Sequence, residues 1–225
     1  MEMEIVVPDD VPVMTLPNLT FFPQALLPLH IFEPRYQEML RDVLATNRLF
    51  AVAGLNPEGS PNQFEPLHRI ATIGIVRACQ GNTDGTSNLL LQGLARVKVK
   101  DVVSEQPYRT IRIQALTSQP GAEMDENLRL RTSLARLIST KQRLGGTVSG
   151  EFTRFLKTVE DPEIFSDLAA FSICEDPRLK QKLLETLDVH KRLELLNRHL
   201  RAGIESIKLR KKLQGDLPDN RIVSN

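Results

Sequence analysis

The chain has 225 residues, 41% of them hydrophobic and 25% charged, with a formal charge of +1 and a pI near 7.8. That balance excludes bulk electrostatic attraction to nucleic acid or membrane, and the length allows one large domain or two small ones. The opening "MEMEIVVPDD" is acidic and lacks the basic and long apolar regions of a signal peptide. No uncharged apolar run approaches the ~18 residues of a membrane span. A cytoplasmic protein is expected. Its two cysteines, Cys79 and Cys174, then read as small buried thiols rather than a disulfide.

Taken in order, "VMTL" predicts a strand. Residues 16–36, "LPNLTFFPQALLPLHIFEPRY", are apolar but carry proline at 17, 23, 28 and 34. Proline removes a ladder hydrogen bond, so this stretch cannot be one central strand. It predicts short extended pieces, including "LLPLHIF", joined by a loop around "PNLTFFPQ" that leaves Phe21 and Phe22 near its tip. Pro34 suits the first turn of a helix whose Tyr36, Leu40, Val43 and Leu44 share a face. "NRLFAVAGL" at 47–55 is a further strand. "IGIVRACQ" and "NLLLQGLARVKV" flank "NTDGTS", where Asp84-Gly85 supplies a hairpin turn. Gly93 inside the return strand predicts a bulge or a close backbone approach.

Eleven of the fourteen prolines fall at or before Pro120, and beyond residue 122 the apolar spacing becomes helical. Leu130, Leu134, Leu137 and Ile138 mark one helix, closed by "LGGTVSG", and "EFTRFLKTV" a second. Asp161-Pro162 and Asp176-Pro177 each predict an N-cap with proline at the first helical position. Asp188 caps a last helix of about 26 residues, ~39 Å long. The expected architecture is α+β: β-rich at 1–120, a helical bundle at 121–215 and a disordered tail at 216–225.

In "VMTLPNLTFFPQALLPLHIFEPRYQEML" a strand, a Leu-Pro pair, a Phe-Pro turn, a "Leu-Pro-Leu" strand and a helix follow one another. This resembles the opening of the N-terminal, substrate-binding domain of Lon proteases. "IATIGIVRACQGNTDGTSNLLLQGLARVKV" and "FSDLAAFSI…KQKLLETLDVHKRLELLNRHLRAGIE" are similar to the family's next two blocks. The "LPLHIFEPRY" form is most similar to that of stand-alone bacterial Lon-domain proteins and of RING-finger proteins that carry the domain. The resemblance covers about residues 11–212 and implies a PUA-like β pseudo-barrel followed by a C-terminal α-helical bundle. It also implies capture of unfolded or partly folded polypeptides, as an adaptor in protein quality control beside a protease or chaperone.

No catalytic pattern stands out. A P-loop needs lysine after its glycines, and "GGTVSGEF" puts Glu151 there. His30, His68, His190 and His199 share no ligand spacing, so no metal, cofactor or turnover is expected. The candidate polypeptide-binding residues are Phe21, Phe22, Pro23, Leu26 and Leu27, because rings in a loop offer large contact area at little entropic cost; the alternative for Phe21 and Phe22 is that both rings plug the barrel. The alternative is an RNA-binding surface, since residues 178–212 hold eleven Lys/Arg against four Asp/Glu. Its candidates are Arg96, Lys98 and Lys100 on one strand face, with Lys208, Arg210, Lys211 and Lys212 on the last helix. An aromatic ligand cage is poorly supplied, with no tryptophan and only Tyr36 and Tyr108.

Overall fold

The computed structural model describes residues 7–59, 65–145 and 149–214. The tail expected to be disordered, the first six residues and positions 146–148 of the "LGGTVSG" loop lie outside them. In chain order the elements are β1 (Asp10–Leu16), β2 (Leu26–Ile31), α1 (Pro34–Ala45), β3 (Leu49–Gly54), β4 (Ile70–Gly81), β5 (Ser87–Ser104) and β6 (Thr110–Leu116). Five helices follow: α2 (Met124–Arg143), α3 (Gly150–Thr158), α4 (Pro162–Ile173), α5 (Pro177–Glu185) and α6 (Val189–Gln214).

The sheet order is β2-β5-β4-β3-β1-β6, and β6 pairs back onto β5. β1 and β3 run parallel, and every other pairing is antiparallel. β5 is long enough to serve two neighbours on the side away from β4: residues 87–92 pair with β2, and residues from Arg96 onward pair with β6. The second pairing closes the barrel. Its interior is filled by small and branched side chains, among them Val11, Val13, Ala51, Ile73, Val97 and Ile111. The first pairing leaves a three-stranded flap, β2-β5-β4, in which β2 is an edge strand.

Helix boundaries follow local chemistry. Asp161 and Asp176 accept backbone N–H bonds from Ile164 and from Arg178 and Leu179, each ahead of a proline in the first turn. Asp188 Oδ1 accepts from Lys191 N at the start of α6. These caps satisfy donors that a helix start leaves without an intrahelical partner. α2 and α6 run parallel, since Asn127 meets His190 and Ser133 meets Asn197. One apolar cluster runs from Met14 and Phe50 of the strands through Phe165 and Leu184 to Leu200 of α6, so strands and helices share a core.

Of residues 17–25, Thr20 to Pro23 and Ala25 pack into that core, while Pro17, Asn18 and Gln24 stay exposed. Phe21 and Phe22 are both buried, and the Phe21 ring meets Phe171 of α4 edge-on with centroids 6.3 Å apart. Thr72 Oγ1 donates to the Phe21 carbonyl, while Gln24 N–H donates to the Gly93 carbonyl. The candidate binding pair is thus corrected, and the alternative of rings that fill the interior holds. The rings plug the seam between barrel and bundle, where burying them contributes about 1.5–3 kcal/mol each.

Gly93 does both things expected of it. Register slips between Ile73↔Ala95 and Gly74↔Gly93, leaving Leu94 as the extra residue of a bulge. A methyl at 93 would stand 2.1 Å from the Phe22 carbonyl oxygen. The cysteine expectation holds for one thiol only. Cys174 is buried, but Cys79 is exposed, because β3 pairs β4 only over Thr72–Ile75 and the end of β4 runs past it. Burial pushes the Cys174 thiol above its ordinary value. A thiol reagent on the native protein is expected to modify Cys79 alone, with Cys174 reacting only after denaturation. Native labelling of both would contradict this burial.

Candidate functional site

β2 is apolar on both faces, and the fold uses them differently. Leu27 and Ile31 point inward with Leu89 and Leu91 of β5, over Met39, Leu40 and Val43 of α1. The alternate set points outward: Leu26 is 51% exposed, Pro28 and His30 are exposed, and Phe32, just past the strand, is 62% exposed. The register carries the outer face across the flap, pairing Pro28 with Leu90 and Leu90 with Ala78. His30 Nδ1 lies 2.8 Å from Asn88 Oδ1, and the imidazole stacks on Phe32 at 6.1 Å. These contacts hold the Phe32 ring over the strand end.

The free edge is partly blunted. Gly93 N–H donates to the Ala25 carbonyl. Continuing that alternation, residues 27, 29 and 31 bond β5 while 26, 28 and 30 aim their backbone outward. Pro28 therefore removes a donor from the open edge, as edge strands do to limit pairing with other chains. The side-chain face, rather than a continuous hydrogen-bonding edge, is the dominant feature.

Of the sequence candidates, only Leu26 belongs to this face. Phe21, Phe22, Pro23 and Leu27 are buried, a correction with two causes: the loop carrying the first three folds across the core, and Leu27 lies on the inner face of β2. Phe32 and Pro28 were missed. The signal was the continuation of the period of two past Ile31, hidden because both faces of "LLPLHIF" are apolar.

The basic ridge is corrected as well. Arg96 is 2% exposed: its guanidinium makes two bonds to the Asp167 carboxylate, of 2.8 and 2.5 Å, and Nε donates to the Leu184 carbonyl at 3.0 Å. Arg192 of α6 bonds the same carboxylate and also reaches Ser118 and Glu163. Burial pulls the Arg192 guanidinium below its ordinary value, against the attraction of Asp167. This cluster ties β5 to α4, α5 and α6. Lys98 is half-buried and Lys100 exposed. Lys208 pairs with Glu205, and Arg210, Lys211 and Lys212 are exposed. They begin sixteen residues beyond Arg192, about 24 Å along the helix, so this basic stretch of α6 and Arg96 do not form one patch.

Neither tyrosine opens onto a cage. Tyr36 is buried with its hydroxyl against Thr15. Tyr108 donates to Asp42, and burial together with that bond pushes its phenol up to about 12. Among the described residues no helix is long and apolar enough to cross a membrane.

Comparison with known proteins places this geometry. Residues 10–202 match the family described as the ATP-dependent protease La (LON) substrate-binding domain. The chain is 25% identical over 215 residues to a Lon protease of Desulfosudis oleivorans, covering 95% of this chain and 26% of that protein. It is 27% identical over 210 residues to Lon protease 2 of Myxococcus xanthus, covering 92% and 25%. It thus spans about a quarter of the length of these relatives. Among solved structures, the N-terminal domain of a Mycobacterium avium complex Lon protease superposes with a TM-score of 0.67 at 17% identity, over 85% of this chain and 98% of that one. A Lon N-terminal domain protein from Xanthomonas campestris gives 0.60 at 19% identity, over 83% and 96%. The pseudo-barrel with its appended helices is therefore the Lon N-terminal fold, and the chain belongs to the LON substrate-binding domain family.

Proposed function

We propose that this domain binds exposed apolar stretches of other polypeptides on the outer face of β2-β5-β4, without chemical turnover. The observation that carries the reading is the line of Leu26, Pro28, His30 and Phe32 on an edge strand, backed by Leu90. Large apolar side chains left in water beside a free strand suit an extended, partly unfolded segment, whose alternate side chains meet such a face. The family's description as a substrate-binding domain supports it. In this reading the domain delivers bound chains to a protease or works as an adaptor in protein quality control. Two cysteines without a disulfide suit a reducing, cytoplasmic setting. An RNA surface is not favoured, because Arg96 is spent inside the core.

The test is capture of a chemically denatured, fluorescently labelled protein by the wild type and by Leu26→Ser/Phe32→Ser. Both positions are exposed, so folding is expected to survive. Losing two apolar anchors is expected to weaken capture about tenfold. Equal capture by the folded double variant would remove this face from the site.

A further inference from the structure

A second site, separate from the polypeptide face, lies between α2 and α3. The two helices form an antiparallel hairpin, because Arg131 of α2 donates to the Lys157 and Val159 carbonyls at the end of α3. Between them runs a groove of about 760 Å³. Arg136 and Arg143 lie seven residues apart on α2, and Arg154 and Lys157 three apart on α3, spacings that put each pair on one helix face. All four line the groove, and no carboxylate does among the described residues. Glu151, the nearest acidic residue in sequence, is not part of the lining. None of the four has a carboxylate within ion-pair distance among the described residues. Further donors converge at one end, where a methyl built at Gly150 would sit 3.0 Å from Gln142 Nε2 and 3.9 Å from an Arg154 guanidinium nitrogen.

We propose that this groove is a binding site for a compact, multiply phosphorylated small anion. Four basic residues line one concavity in a chain whose formal charge is only +1. Cations on two facing helices suit an anion that carries several charges in a small volume. An extended acidic peptide presents same-face side chains only every ~6.8 Å. Three of the four cations are arginines, whose planar forks bind phosphate oxygens in pairs. The volume falls within the range of small-ligand sites, roughly 300–1,000 Å³. Among the described residues the lining comes from two helices, which fits a compact ligand better than a long nucleic-acid strand.

Titration of the full chain with inorganic triphosphate at low salt, followed by calorimetry, tests this. Saturable binding is expected, weakened by added salt. Arg136→Gln and Arg154→Gln are each expected to weaken it about tenfold, while Lys211→Gln/Lys212→Gln leaves it unchanged. These side chains are exposed, so thermal unfolding should not move. No binding by the wild type, or an unchanged affinity in Arg136→Gln/Arg154→Gln, would overturn the proposal. So would equal affinity for an oligoglutamate, or binding of single-stranded RNA without binding of triphosphate. Capture of denatured protein by Arg136→Gln/Arg154→Gln should remain at the wild-type level, which separates this site from the flap face.

Discussion

Asp167→Asn is expected to lower stability by about 3–5 kcal/mol, measured as a shift of the urea unfolding midpoint. The carboxylate is 1% exposed and is shared by two guanidiniums, Arg96 at 2% and Arg192 at 1%. An amide of the same shape cannot balance two buried positive charges. Its own N–H₂ would also face donors that have nowhere else to turn. Glu163, 3.8 Å from Arg96 and 3.4 Å from Arg192, is 42% exposed and cannot replace a buried partner. Replacing all three members by apolar residues, Arg96→Met/Asp167→Leu/Arg192→Met, is expected to recover most of the loss, since buried ion networks seldom exceed well-packed hydrophobic substitutes. A loss below about 1 kcal/mol in Asp167→Asn would mean that water reaches the cluster and the seam between strands and helices is held otherwise.

Gly93→Ala should be nearly as costly. The new methyl would meet the Phe22 carbonyl oxygen at 2.1 Å, its carbon at 2.9 Å and Pro23 Cα at 3.1 Å. All three are backbone atoms, so no side chain can swing aside. Either the 17–25 loop lifts, drawing Phe21 and Phe22 out of the seam, or β5 is pushed from its register. We expect a loss of about 3 kcal/mol or more. Gly81→Ala is the matched control in the same hairpin. Nothing lies within 4 Å of a methyl there, and the expected change is below about 0.5 kcal/mol. Similar effects at both positions would point to general strand disruption rather than to contact with the loop.

Much of the fold was legible because its signals are local. The Asp-Pro pairs at 161 and 176, the Asp84-Gly85 turn and the helical spacing after residue 122 each act within a few residues, and three sequence blocks resembling one family supplied the architecture. The candidate site was less legible because exposure is a tertiary property. In "PNLTFFPQ" the prolines correctly signal a loop, but no local pattern says that the loop lies inward under α4. "LLPLHIF" is apolar at every position but 30, so its period of two carries no contrast between the α1-facing and the water-facing sets. Arg96 sits among Val97, Lys98, Val99 and Lys100 in a strand that alternates as if one face were wet. Asp167, which it binds, and Arg192, which shares that carboxylate, lie 71 and 96 positions away, beyond any local reading.

The claim that the flap's outer face receives the polypeptide is tested most directly by placing a photo-crosslinking side chain at position 32 or, in a separate variant, at position 213. Phe32 and Leu213 are both large, exposed apolar residues, at 62% and 77%, so exposure alone would not separate them. With a denatured client protein present, crosslinks are expected from position 32, reduced by Leu26→Ser, and few from position 213. Efficient crosslinking from 213 with none from 32 would contradict the account and move the binding surface to the end of α6.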